Sequence, residues 1–266
     1  MIVNAQALAL EPAEADKPFI GWHNLASAGA VAADGADADH PADNLANAAT
    51  NLFWLSDSAI DQDLVVQFDA QEVDYLALFG HNFGSAAIAV ELQDDSVSPP
   101  NILVQETLPA DDTALILRFV PQVLAQLRLH LIQDGSPPAA PRAAVLYCGR
   151  SLVMPRGLWR GYSPIVFARR PQTVSNRSES GNFLGRIVLS ETLESDAPFR
   201  LIAPADYRSD IDAFLAATRD HPFFFAWRPQ SYPDEVAYCW LSEPPLPRHD
   251  EQSHLLEFDL RMQGLV

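Results

Sequence analysis

The sequence predicts a mainly β chain built in two parts, with a single helix flanking the second. Three observations carry this. Short runs alternate apolar and polar residues between Pro, Gly, Asn and Asp. Only one stretch, 206–219, has an apolar stripe at helical spacing. The charge balance also changes abruptly beside the Pro-rich segment Gly135–Pro141. With 266 residues, 48% of them hydrophobic, there is material for two ordinary cores.

In the first part, predicted to span residues 1–150, Leu64, Val66 and Phe68 share one face of a strand. Leu115, Leu117 and Phe119 do the same in the run 113–119, and Leu127, Leu129 and Leu131 alternate with Arg128 and His130. Further strands are expected at 75–79, 88–92, 102–107 and 143–147, about the number a two-sheet sandwich needs.

The second part, 151–266, is predicted to place strands at 164–168, 183–190 and 197–202 before its helix. Asp206 is the expected helix cap, and Tyr207, Ile211, Phe214, Leu215 and Thr218 form the stripe that faces a sheet. Proline at position 222 ends the helix and opens an aromatic hairpin over 222–241. Its run Phe223-Phe224-Phe225-Ala226-Trp227 is too short to span a membrane and too apolar to expose. It is expected in a core or against a neighbouring subunit. The last strand alternates Leu256, Phe258 and Leu260 with charged residues.

Charge narrows the partners. Of the net −18, residues 1–140 hold 20 acids against Lys17, Arg118 and Arg128, whereas residues 141–266 hold 15 acids against 14 arginines. So acidic a first part repels nucleic acid and anionic membrane surfaces. From Arg142 to Arg186 there are eight arginines and one acid, Glu179, which suits a face that docks an acidic neighbour. No nucleic-acid-binding motif accompanies it. The amino-terminal residues lack a basic leader and a long apolar run, so synthesis in the cytoplasm is expected.

Motifs with chemistry are sparse. Cys148 and Cys239 lie in apolar strand contexts and are expected as buried free thiols. Asp34, Asp37 and Asp39 form an acidic loop without the ligand spacing of a helix-loop-helix calcium site, and solvated carboxylates are the expectation. His249, Asp250, Glu251 and His254 read as a hairpin loop, since the zinc-protease spacing is absent. There is no Gly-x-Ser-x-Gly elbow or phosphate-cradling glycine loop, so no catalytic residue, cofactor or metal is assigned.

Two resemblances add to this. Asp43-Asn44-Leu45, Phe53-Trp54-Leu55-Ser56, the strand 63–68 and Val73 to Gly84 with its His81-Asn82-Phe83 turn are similar to discoidin-like, galactose-binding-type jelly rolls. That similarity covers roughly 16–150; in that family loops at one end of the sandwich often bind glycans or proteins, but no particular sugar-binding residue is matched here, so binding does not follow from it. Trp22, His81, Asn82 and Phe83 are the exposed-loop candidates for a glycan contact, and Trp54 is expected in the core.

From Tyr162 onward, Ser178-Glu179-Ser180-Gly181-Asn182-Phe183-Leu184-Gly185-Arg186 and the aromatic hairpin resemble the distal-tail-type β-sandwich of long-tailed bacteriophages. This resemblance implies a structural virion protein at the tail tip or baseplate. It would form a ring between the tail tube and the host-contacting hub. Arg156, Arg160, Arg169, Arg170, Arg177, Arg186, Phe224 and Trp227 are then the candidate subunit-interface residues. A carbohydrate-binding protein touching host surface glycans is the alternative, and an enzyme acting on cell-wall polysaccharide comes third.

Overall fold

The computed structural model describes residues 1–265 apart from Ala28 and Gln252, with Pro12 described by its backbone alone. Val266 and Gln252, which end the second part and sit in the His249–His254 segment, lie outside the described residues. Its strands are β1 (Ile2–Asn4), β2 (Phe19–Gly21), β3 (Val31–Ala33), β4 (Trp54–Leu55), β5 (Gln62–Phe79) and β6 (Ile88–Asp94). They continue as β7 (Asn101–Thr107), β8 (Leu115–Gln133), β9 (Arg142–Ala143), β10 (Val145–Gly149), β11 (Leu152–Val153) and β12 (Arg169–Arg177). The last five are β13 (Phe183–Ile202), β14 (Phe223–Ala226), β15 (Val236–Leu241), β16 (Arg248–His249) and β17 (Leu256–Leu265).

The first sheet runs β10-β5-β8-β6-β7, with β1 parallel to β8 and β3 paired to β5. Strands expected separately at 63–69 and 75–79 are one long β5, and those at 113–119 and 127–131 are one long β8. Their register slips between Gln67 and Gln71. Both halves of this ribbon feed one core: Leu64, Val66 and Leu129 from one end, Leu76, Leu78 and Leu117 from the other. The ribbon therefore folds over itself, which gives the two layers of a sandwich. Trp54 is fully buried in that core and donates its indole N–H to the Gly35 carbonyl at 3.1 Å.

The second sheet runs β11-β2-β14-β15-β17-β13-β12. Its inner face packs against a helical segment at Pro204–Ala217 that contains one π turn, Tyr207–Ile211. Ile211, Phe214, Leu215 and Thr218 are buried as the stripe predicted, and Tyr207 is half-buried. Two expectations are corrected here. The helix starts at Pro204 without a side-chain cap, so Asp206 lies inside it, because proline's fixed φ supplies the first turn. Residues 165–167 form a 3-10 turn rather than a strand.

The division at residue 150 is crossed by β2. Its Phe19, Ile20 and Gly21 pair with Ala226, Phe225 and Phe224 of β14. A third core lies between the two sheets, where Phe19, Tyr75, Phe79 and Tyr147 meet Phe224 and Tyr238. Phe79 stacks on Tyr238 at 5.3 Å, and Tyr147 meets Phe224 edge-on at 5.6 Å. Gly21 is required at this crossing, since a Cβ there would stand 2.7 Å from the Tyr75 ring. Polar clasps flank the apolar junction. The Asp74 carboxylate accepts both the backbone N–H and the hydroxyl of Ser151 at 2.7 Å, and burial raises its pKa. Asp16 pairs with Arg228 at 2.9 Å.

Candidate functional site

Beyond Leu193, β13 leaves its partner β17 and runs on with β12 alone. The result is a two-stranded arm, about 30 Å long at ~3.3 Å per residue. Its turn is closed by the Ser178 N–H on the Asn182 carbonyl and the Gly181 N–H on the Ser178 carbonyl, both 2.9 Å, with Gly181 at φ +84°. Every residue from Arg169 to Thr192 is exposed except Thr173, Ser178 and Gly185, which are half-buried. Among the described residues, no layer covers either face.

What the arm exposes is unusual for a surface. Phe183, Leu184 and Ile187 are each about two-thirds exposed, and Val174, Val188 and Leu189 are exposed beside them. Burying such a side chain fully is worth ~1.5–3 kcal/mol, and a lone two-stranded ribbon is only marginally stable in water. The apolar faces are thus suited to a partner surface. The outer edge is not: Arg169, Arg170, Pro171 and Arg177 lie on β12, and register slips interrupt the ladder at Gln172/Thr173 and Asn176/Arg177. Charge, proline and bulges blunt the β12 edge against added strands, so the apolar faces and the β13 edge, which has no β17 beside it there, are the surfaces open to docking.

The predicted interface residues separate on this geometry. Arg169, Arg170, Arg177 and Arg186 are on the arm; Arg169 faces Glu191 at 3.7 Å, and Arg186 donates to the Thr173 hydroxyl at 2.9 Å. Arg156 and Arg160 are exposed on the preceding loop, where Trp159 is also exposed. Phe224 is corrected: it is fully buried within its own chain, between Tyr147 and Tyr238, and has no surface to offer a neighbour. Trp227 is half-buried and stacks on Tyr232 at 5.1 Å.

The glycan candidates separate too. Phe83 is fully buried and His81 nearly so, with the two rings stacked at 4.7 Å. Burial lowers the His81 pKa to about 4, so its ring stays neutral. Asn82 is a clip: its amide donates to the Ala140 carbonyl at 3.0 Å and accepts the Arg142 N–H at 2.9 Å. This turn organises the first core rather than presenting a platform, because Phe83 faces inward. Trp22 alone of the four combines an aromatic face with surface exposure.

Cys148 and Cys239 are buried free thiols, as expected, and burial pushes the Cys148 pKa up to about 12 and that of Cys239 higher still. In the acidic loop, Asp34 accepts the Asp63 N–H and Asp37 accepts the Asp39 N–H. Among the described residues no cluster of three or more His, Cys, Asp or Glu is placed to hold a metal ion, and no helix is long and apolar enough to cross a membrane.

No protein-family model and no curated protein matches the chain. Solved structures similar to it include carbohydrate-binding modules and a GH29 fucosidase from Ruminococcus gnavus. Chitosan-binding module 1 of a chitosanase/glucanase from Paenibacillus sp. IK-5 is 18% identical, covering 47% of this chain and 98% of that one, with a TM-score of 0.40. A family 32 module from C. perfringens, solved with galactose, is 19% identical over 46% of this chain and 92% of that one, with a TM-score of 0.39. A pectin-binding module is 16% identical over 44% and 87%, with a TM-score of 0.35. The mainly β fold itself rests on the hydrogen-bonded strands described above.

The arm was the residue group least visible in the sequence. The run 183–190 is predicted only as a strand, with no burial assigned to it. The signal that distinguishes it is the absence of alternation, since Phe183, Leu184, Ile187, Val188 and Leu189 are apolar without period two.

Proposed function

We propose that the chain is a non-catalytic structural protein whose copies join through the arm, and that it serves at the tail tip of a long-tailed bacteriophage virion. The observation that carries the assembly reading is the uncovered arm with its exposed Phe183, Leu184 and Ile187. The occupant of the arm is a second copy of this chain. The arm bears Arg169, Arg170, Arg177 and Arg186 against Glu179 and Glu191, while residues 1–140 of any other copy bear 20 acids against three basic residues. Opposite charge fixes register and apolar burial supplies affinity.

Such a contact is heterologous, arm to a different surface, and repeats until a ring closes. The tail-tip assignment, with tail tube and hub as neighbours, rests on the resemblance of residues 162–266 to distal-tail-type proteins. Cryo-electron microscopy of particles from the source tests it. Density for this chain in a ring at the tail tip is the expected result, and its absence from every particle overturns the assignment.

A second reading is contact with host surface glycans. One observation favours it: Trp22 stays at the surface, beside a cleft where the two sheets meet.

A further inference from the structure

The cleft beside Trp22 belongs to neither sheet alone. Trp22, Asn24, Asp43, Asn47 and Tyr147 come from the first part of the chain, and Asp220 comes from the turn that follows the helix in the second. His221 lines it as well, its Nδ1 2.7 Å from Asp220 Oδ1. The cavity volume is about 750 Å³, inside the ~300–1,000 Å³ range of small-ligand clefts.

Its polar groups are oriented by the backbone. Asn24 Oδ1 accepts the N–H groups of Ala26 at 3.0 Å and Cys148 at 3.3 Å, so its NH₂ remains to donate. Asn47 is fixed the same way, its Oδ1 accepting the Ala49 N–H at 2.8 Å. Asp43 accepts the Gly29 N–H through Oδ1 at 2.9 Å, which leaves Oδ2 as an acceptor. Trp22 supplies the apolar element. His23 and Phe214 meet it at interplanar angles of 63° and 68°, so neither stacks on the indole.

Two carboxamide donors, carboxylate acceptors and an indole in one cleft match the surface of a pyranose, which alternates hydroxyls with C–H faces. Among the described residues no lysine or arginine lines the cleft, whereas Asp43 and Asp220 both do. A carboxylated sugar would meet like charge and an amine-bearing sugar opposite charge. We infer that this junction cleft binds a pyranose that is uncharged or carries an amine, and rejects uronic and sialic acids. The inference deepens the glycan reading and is independent of the arm, which shares no residue with the cleft.

Isothermal titration calorimetry on the full chain tests it, with glucosamine trimer, N-acetylglucosamine trimer and trigalacturonate as probes. Glucosamine trimer is expected to bind with a Kd below ~1 mM, as a site of a few convergent groups allows, and trigalacturonate not to bind. Asn47→Ala and Asp220→Ala alter exposed residues and are expected to weaken binding at least tenfold at an unchanged melting temperature. Trp22→Ala is expected to abolish it. Binding of none of the probes overturns both the cleft and the glycan reading. Binding that the Asn47 and Asp220 variants leave unchanged overturns the cleft alone. Trigalacturonate binding as tightly as the amine trimer overturns the charge selection.

Discussion

The junction core and the arm are both rich in large apolar side chains, and the molecule treats them in opposite ways. At the junction, Phe224 and Tyr238 of one sheet are sealed against Phe79 and Tyr147 of the other, each at most 7% exposed. On the arm, Phe183 and Ile187 are 66% and 67% exposed. The difference lies in what stands opposite. β14 has β2 and β15 on its flanks and a second sheet across its face, so its run alternates between two interiors: Phe223 and Phe225 in the helix-side core, Phe224 and Ala226 at the junction. The arm has one partner strand and nothing across its faces. Local apolarity says that a segment wants cover, and topology decides whether its own chain provides it.

If that contrast is sound, truncation at the junction costs far more than truncation on the arm. Phe224→Ala is expected to destabilise the chain by about 3–5 kcal/mol, the usual cost of deleting a buried aromatic ring. Chemical denaturation followed by tryptophan fluorescence would read it. A loss under ~1 kcal/mol would mean that the junction relaxes and the contrast is overstated.

Acid should act next. His81 is neutral when folded, its pKa lowered to about 4 by burial, against an ordinary value of 6.5. Above pH 6.5 neither state binds the proton. As pH falls from 6.5 towards 4 the unfolded chain takes up a proton that the folded chain refuses, so stability is lost through that window, by up to roughly 3 kcal/mol. His81→Gln should flatten the stability profile across that window; an unchanged slope would assign it to other groups.

Tyr238→Phe keeps the junction's shape and removes only the hydroxyl that donates to the Ala48 carbonyl at 2.9 Å. It is expected to cost about 1 kcal/mol. Smallest of all, Ile187→Asp with Val188→Asp on the arm should leave the unfolding free energy of the isolated chain within about 0.5 kcal/mol, as exposed positions do.

Much of the fold could be read from the sequence because it follows from periodicity. The alternation of Leu64 with Val66 and of Leu127 with Leu129 placed those strands, and the stripe from Ile211 to Thr218 placed the helix against a sheet. The crossing strand β2 was illegible for a physical reason: three residues carry no period, and their partners on β11 and β14 lie far along the chain. Gly21 marks the spot only once Tyr75 is known to press on it. The merging of runs into β5 was hidden by the polar stretch Asp69 to Glu72, where the register slips, and the merging into β8 by Pro121. Of the candidate site, the arginines on the arm and Trp22 were named from sequence. His81 and Phe83 were misplaced because a His-Asn turn looks the same whether its rings point in or out. The contribution of Asp220 and His221 to the Trp22 cleft depends on how two sheets dock, which no local pattern encodes.

Sedimentation velocity of the full chain, beside the Ile187→Asp, Val188→Asp variant, shows whether copies of the chain join through the arm. The unaltered chain is expected to form larger, concentration-dependent species at roughly tens of micromolar, while the variant sediments as a monomer with an unchanged melting temperature. An unaltered chain that stays monomeric at those concentrations, or a variant that associates equally well, would contradict joining through the arm.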